Sequence, residues 1–355
     1  MTAPPEPPPA DGRSERASEA HSGAEESRAT IPADAPRAAG RVPDFFIVGQ
    51  PKSGTTALYE MLRSHPQIFM PDFKEPRFFA SDLPSRYNER ASGLPPESYE
   101  DYLALFEAAG PEQLAGEAST AYIWSRTAAG LIADAQPAAR IIAILREPAS
   151  FVRSMHLQLL QIRVEKETSL RKALALEDAR REGRNLTDAV ARWPQVLLYT
   201  DRVRYVEQLR RFHERFGEEQ VLVLIYDDFR SDNEQTVRSV LRFLDVDDTV
   251  PIELTEANPT VRMRSVRLDE TVRALSVGQG PVTRAVRSAI KAVTPRRVVL
   301  EGHHAVRRHL VFGAPQAPDE QLALELRRRF KGEVEALSEY LGRDLVSLWG
   351  YDALD

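Results

Sequence analysis

The sharpest chemical signal in the chain is Gly49-Gln50-Pro51-Lys52-Ser53-Gly54-Thr55-Thr56, lying between an apolar run and an amphipathic one. A turn of this kind aims backbone N–H groups and a helix N-terminus at one point, which makes an anion site. Its two glycines have the spacing of the Walker pattern G-x-x-x-x-G-K-[ST]. The next residue is Thr55, however, so the lysine that reaches the β- and γ-phosphates of a nucleoside triphosphate is missing there. Lys52 sits inside the loop instead, where it can lie near the first anionic group and the bond beyond it, while the Thr55 and Thr56 hydroxyls supplement the backbone donors. The loop suits a 5′-phosphate carrying one further small group rather than a triphosphate with magnesium. The plainer alternative is a strand-to-helix turn with an incidental surface lysine.

Such a loop needs a strand before it and a helix after it. Phe45-Phe46-Ile47-Val48 is a continuous apolar run ending at Gly49, the pattern of a buried parallel strand, so order is expected to begin at Asp44. The spacing then predicts a helix from Thr55 to about Ser64 with Ala57, Leu58, Met61 and Leu62 on one face, stopped by His65-Pro66. The pattern repeats at Ile141-Ile142-Ala143-Ile144-Leu145, after which Pro148 opens a helix carrying Phe151, Val152, Met155, Leu159 and Ile162. Val221-Leu222-Val223-Leu224-Ile225 is a third strand, and an amphipathic helix from Asp319 to Leu341 is stopped by Gly342. Apolar strands alternating with helices predict an α/β fold, P-loop-like and three-layered, with a central parallel sheet and helices on both faces. Open sheets of this class bind ligands at the carboxyl ends of their strands, where the loops after Gly49 and after Leu145 fall.

Pro51-Lys52-Ser53-Gly54-Thr55-Thr56 after an apolar strand resembles the 5′-phosphosulfate loop of sulfotransferases that use 3′-phosphoadenosine 5′-phosphosulfate (PAPS). A second element agrees: Leu145-Arg146-Glu147-Pro148 at a strand end, with Ser154 eight residues after the arginine. The resemblance implies PAPS as sulfate donor, with Lys52, Ser53, Gly54, Thr55 and Thr56 on its 5′ end and Arg146 and Ser154 on its 3′-phosphate. A guanidinium supplies a two-pronged charged contact and a serine a neutral donor. Taken singly, a helix-capping arginine and a buried serine are the plainer readings.

Sulfuryl transfer to a hydroxyl needs a base for the acceptor proton, positive charge on the leaving oxygen and an in-line arrangement. Lys52 would stabilise the leaving oxygen. Lys74-Glu75-Pro76-Arg77-Phe78-Phe79 resembles the Glu-x-x-Phe-Phe element of carbohydrate-type and many bacterial sulfotransferases, which implies Glu75 as the base. The flanking aromatics are expected to raise its proton affinity by desolvation; a salt bridge to Lys74 or Arg77 is the competing reading. His156 is the rival base, although two residues beyond Ser154 on a helix it should point elsewhere. Ala118 and Ala121 stand where the carbohydrate branch often has lysine and proline, so a second catalytic lysine is missing. Trp124 is read as core or as a stacking surface. By position alone, Arg307 and Arg308 match a basic loop that closes the cofactor site in some members, with Arg262 and Arg264 as competitors. No metal-binding pattern occurs, so no metal is expected.

Composition bounds the rest. The chain has 355 residues, 42% hydrophobic and 28% charged, which excludes a fibre or a mini-protein. Zero cysteines rule out a disulfide framework and a thiolate metal site, and fit a cytoplasmic setting. The net charge of −6 argues against a nucleic-acid partner. Residues 1–40 hold 7 prolines and no aromatic residue, so they are expected to form a disordered tail ahead of one domain spanning 41–355. No apolar run reaches membrane-spanning length, and the first residues lack the apolar core of a secretion signal. From Arg262 to Arg308 there are 11 Arg or Lys against 3 acids, and residues 282–293 have helical apolar spacing, which offers a peripheral membrane contact. The acceptor is expected to be a small molecule, glycoside or lipid, with residues 82–115 and 163–195 as candidate acceptor loops. Two other classes compete: a P-loop nucleotide-dependent kinase, and a non-catalytic protein binding anions or membrane surfaces.

Overall fold

The computed structural model describes residues 40–83, 95–187, 190–253 and 319–354, and the backbone of 262–263 and 312–313. The tail expected over residues 1–40 (save Gly40), the 282–293 stretch, Arg264, Arg307 and Arg308 lie outside the described residues.

Three strands form where continuous apolar runs predict them: β1 (Phe45–Gly49), β4 (Arg140–Leu145) and β5 (Val221–Ile225). Two more, β2 (Ile68–Phe69) and β3 (Leu114–Ala118), complete a parallel sheet of order β2-β3-β1-β4-β5. β1 lies in the middle, with Phe45 opposite Gly116 on one side and Arg140 on the other. Its alternate side chains therefore enter two different cores. Phe46 and Val48 join Ile141 and Ala143 on one face, and Phe45 and Ile47 join Ile142 and Ile144 on the other.

The second face is covered by α1 (Thr55–Arg63), which presents Ala57, Leu58, Met61 and Leu62 as its spacing requires. The first is covered by α4 (Pro148–Gln161), which follows β4, by α7 (Tyr205–His213) and by α10 (Glu320–Leu341). The shorter α2 (Tyr99–Ala104), α3 (Ala128–Ala135), α5 (Leu170–Ala175) and α6 (Glu177–Arg181) precede α7 in the chain. α8 (Tyr226–Ser231) and α9 (Asn233–Phe243) follow β5. β6 (Arg262–Met263) pairs antiparallel with β7 (Phe312–Gly313), and α11 (Leu345–Leu348) follows α10.

Two local devices place the site. Pro148 opens α4, and the Glu147 carboxylate caps it by accepting from the N–H groups of Ala149 and Ser150 at 3.1 and 2.6 Å. After Gly342, in the left-handed region at φ 60°, ends α10, the chain returns to that cap: Tyr351 donates to Glu147 Oε1 at 2.6 Å. Trp349 Nε1 donates to Asp227 of α8 at 2.9 Å. The C-terminal segment thereby braces both elements that flank Arg146.

β3 escapes the sequence pattern because Leu-Ala-Gly-Glu-Ala has no β-branched residue. Its Gly116 is there for space, since a Cβ would come within 2.1 Å of the Phe45 ring and 2.5 Å of Met70 Sδ. Gly116→Val should therefore destabilise the protein by about 3 kcal/mol or prevent folding, read as loss of soluble yield or a lowered Tm.

Candidate active site

β1 delivers its last residue straight into the loop. Gly49 is at φ 156°, where a Cβ would meet Ile123 Cγ2 at 2.5 Å, and Gly54 is at φ 86° against the Phe229 ring at 2.8 Å. Both positions thus require glycine. Gly54 is the N-cap of α1 and offers no side-chain acceptor, so the first-turn N–H groups of α1 keep their donors for something else. Gln50 is buried and anchors the loop, donating to Arg202 O at 2.8 Å and to Gln208 Oε1 at 3.2 Å.

The second motif reaches the same place from the adjacent strand. Arg146, just past β4, donates through Nη1 to the Lys52 carbonyl at 2.9 Å and through Nε to Ser150 Oγ at 3.0 Å. Its guanidinium lies over the Tyr226 ring, 4.8 Å from the centroid. Ser154 is one turn beyond Ser150 on α4. Ser53 and Ser154 are both buried, and the hydroxyl oxygen of each lacks a hydrogen-bond partner. Buried hydroxyls without partners are rare, and here they flank a cluster of like charges. Burial and the Arg146 charge lower the proton affinity of Lys52, and the same two causes act on Arg153. An uncapped helix N-terminus, idle buried hydroxyls and converging cations fit a ligand with anionic groups at two ends. Thr55 is buried beside Ser53, and Thr56 is exposed.

Glu75 comes from the turn after β2 and is brought to the loop through Thr120. The Thr120 hydroxyl donates to Glu75 Oε1 at 3.2 Å, and its carbonyl oxygen lies 3.2 Å from where a Gly49 Cβ would stand. Arg77 donates to Glu75 Oε2, and Lys74 Nζ lies 3.5 Å from Oε1. Burial does push the Glu75 carboxyl up, as the sequence leads one to expect. The Arg77 and Lys74 charges and the hydrogen bonds from Arg77 and Thr120 outweigh it and bring the pKa down to about 2. The expected rise is therefore reversed: Phe78 and Phe79 pack with Tyr102 in their own cluster, while two cations take the carboxylate.

His156 is occupied in packing α4. Its Nε2 bonds the Glu167 carbonyl at 2.8 Å, its ring meets Tyr199 edge-on, and burial lowers its pKa. Trp124 is half-buried beneath the Arg202 guanidinium at 3.9 Å. Both border a cavity of about 370 Å³ with Asp82, Arg126, Arg204 and Gln208. Arg262 belongs to β6 by its backbone. Sequence reasoning missed Gln50, Thr120, Ser150 and Tyr226. Only Ser150 had a legible signal, lying one helical turn before Ser154.

A parallel α/β sheet with a glycine-bounded, lysine-bearing loop after its central strand and an arginine after the neighbouring one defines a class that the sequence comparisons then specify. The sequence model of the Sulfotransferase family matches residues 43–250, and the chain belongs to that family. Over 151 residues it is 30% identical to carbohydrate sulfotransferase 15 of Mus musculus and of Homo sapiens. These matches cover 33% of this chain and 27% of theirs, so the chain spans about a quarter of the length of these curated relatives. The crystal structure of a sulfotransferase from Alicyclobacillus acidocaldarius superimposes with a TM-score of 0.60 at 25% identity, covering 86% of this chain and 98% of that one.

A carboxyl held at about 2 contributes stability above its unfolded value of 4.5, and that contribution is lost as pH falls toward 2. Glu75→Gln should therefore cost about 2 kcal/mol at pH 7, with parent and variant converging as pH approaches 2. Urea denaturation at a series of pH values measures this.

Proposed function

We propose that the protein is a PAPS-dependent sulfotransferase acting on a hydroxyl of a glycoside or another small-molecule or lipid acceptor. The observation that carries this reading is the pair of anion sites joined by the Arg146 to Lys52 hydrogen bond, each with a buried serine hydroxyl in want of a partner. Ser53, Thr55, Thr56 and the N-terminus of α1 hold the 5′ end of the donor, and Lys52 bears on the bridging oxygen. Arg146 and Ser154, joined by Ser150, hold the 3′-phosphate. PAPS supplies the sulfuryl group.

The Lys52 ammonium is half-buried, so its charge acts through less water than an exposed lysine's would. Glu75 is ionised throughout the neutral range, and although Arg77, Lys74 and Thr120 engage its oxygens, they have further lone pairs to accept a hydrogen bond from the acceptor hydroxyl. A carboxylate with so low a pKa is a weak base. It takes the proton only late, once the forming S–O bond has made that hydroxyl strongly acidic. The glycoside preference rests on the name of the carbohydrate sulfotransferase relatives. It is supported by the polar cavity beside Trp124, which the segment from Thr120 connects to Glu75. The absence of cysteine supports a cytoplasmic setting.

Adenosine 3′,5′-bisphosphate should raise the Tm, whereas ATP with magnesium should not; the opposite pattern would favour a kinase. With PAPS and a panel of glycosides, Lys52→Ala should reduce turnover at least about 100-fold. Ser154→Ala, which removes one hydrogen bond to a charged group, should weaken bisphosphate binding about 10-fold or more. Unchanged turnover in the Lys52 variant would overturn the reading.

A further inference from the structure

Behind the Glu75 turn lies a second carboxylate that the mechanism above does not use. Glu117, in β3, is fully buried. Its Oε2 accepts hydrogen bonds from Tyr102 of α2 at 2.9 Å and from Tyr122 at 2.8 Å. No cation pairs with it among the described residues. A buried carboxylate without a counter-charge costs several kcal/mol, far more than an apolar side chain filling the same volume. Packing alone does not account for it.

Its neighbours show what it touches. Ala118 accepts the Glu75 N–H at 3.1 Å, and Ser119 Oγ accepts the Arg77 N–H at 2.9 Å. Thr120 donates to the Glu75 carboxylate at 3.2 Å, and the Tyr122 hydroxyl accepts the Phe79 N–H at 3.4 Å. Residues 118–122 thus grip the Glu75 turn at four points, and Glu117 anchors that stretch from beneath. The turn needs the grip, because Glu75 and Arg77 both lie in the left-handed region, at φ 61° and 55°.

We propose that Glu117 is a positioning residue that sets the proton affinity of the Glu75 carboxylate, its own ionisation making Glu75 a stronger base. The inference rests on the reading of Glu75 as the base. The groups facing Glu117 are Tyr102 from α2, Tyr122 from the segment after β3 and Glu75 from the turn after β2. Burial pushes the Glu117 carboxyl up, hydrogen bonds from Ser119, Tyr122 and Tyr102 oppose it, and the Glu75 charge adds to the rise, leaving it at about 7. Its charge therefore appears across neutral pH, whereas Glu75 titrates far below. While Glu117 is protonated, Lys74 and Arg77 hold the Glu75 proton affinity at its lowest. Once Glu117 ionises, its negative charge opposes them.

The test is Glu117→Gln, which keeps an oxygen for both tyrosine hydroxyls but cannot ionise. The parent kcat should rise through a limb near pH 7. In the variant that limb should vanish, and kcat at pH 8 should fall several-fold, to the level the parent shows at pH 6. The Tm shift given by adenosine 3′,5′-bisphosphate should be unchanged. Tyr102→Phe, which removes one of the hydrogen bonds that favour the charged form, should move the limb to higher pH. A reading that needs no turnover accompanies these. A folded-state pKa raised above the unfolded value gives stability that is lost as pH rises from about 4.5 through 7, and Glu117→Gln should abolish that loss. Persistence of the limb in the glutamine variant, or an equal loss of kcat at every pH, would overturn the inference while bisphosphate binding upheld the donor assignment. Failure of the parent to bind bisphosphate would instead overturn that assignment.

Discussion

The hydrogen bond from Arg146 to the Lys52 carbonyl is the constraint on which the site depends. It holds two cationic strand ends side by side although their charges repel, and among the described residues no carboxylate forms an ion pair with either. Glu147, the acid next in sequence to Arg146, is turned away to cap α4 and to accept from Tyr351. Asp227, one residue past Tyr226, accepts from Trp349 instead. These two described acids nearest the cluster are thus engaged by the C-terminal segment and do not neutralise its positive charge.

The opposite arrangement holds across the loop, where two carboxylates distant in sequence but interacting in the fold meet different surroundings. Glu75 has Arg77, Lys74 and Thr120, and stays ionised. Glu117 has two tyrosines and an aromatic surround, and holds its proton to about neutral pH. Environments that drive two acids apart in this way divide their roles, since one is always charged and the other changes charge within the working range.

Much of this was legible in the chain. The strands at Phe45 and Ile141 announced themselves because each is buried on both faces and must be apolar throughout, and the edge strand at Val221 because its run is continuously apolar though only part of it is fully buried. The loop after β1 was legible because glycine at Gly49 and Gly54 answers a backbone need that no other residue meets. β3 was not, since its pairing depends on the space beside Phe45 rather than on its own propensity. The ionisation of Glu75 was misread for a related reason. Aromatic neighbours in sequence promised desolvation, but the charges that decide it come from how the turn folds Lys74 and Arg77 back onto the carboxylate.

By itself, then, the sequence determined three of the five sheet strands and the two loops that leave the carboxyl ends of β1 and β4, because these follow from periodicity and from residues with special backbone freedom. Only the tertiary structure decided that Arg146 grips the Lys52 carbonyl, that Thr120 ties Glu75 to the loop, and that Glu117 sits uncompensated beneath it. Those contacts join residues 94, 45 and 15 positions apart. Their energies depend on burial and distance, which no local pattern of residue types records.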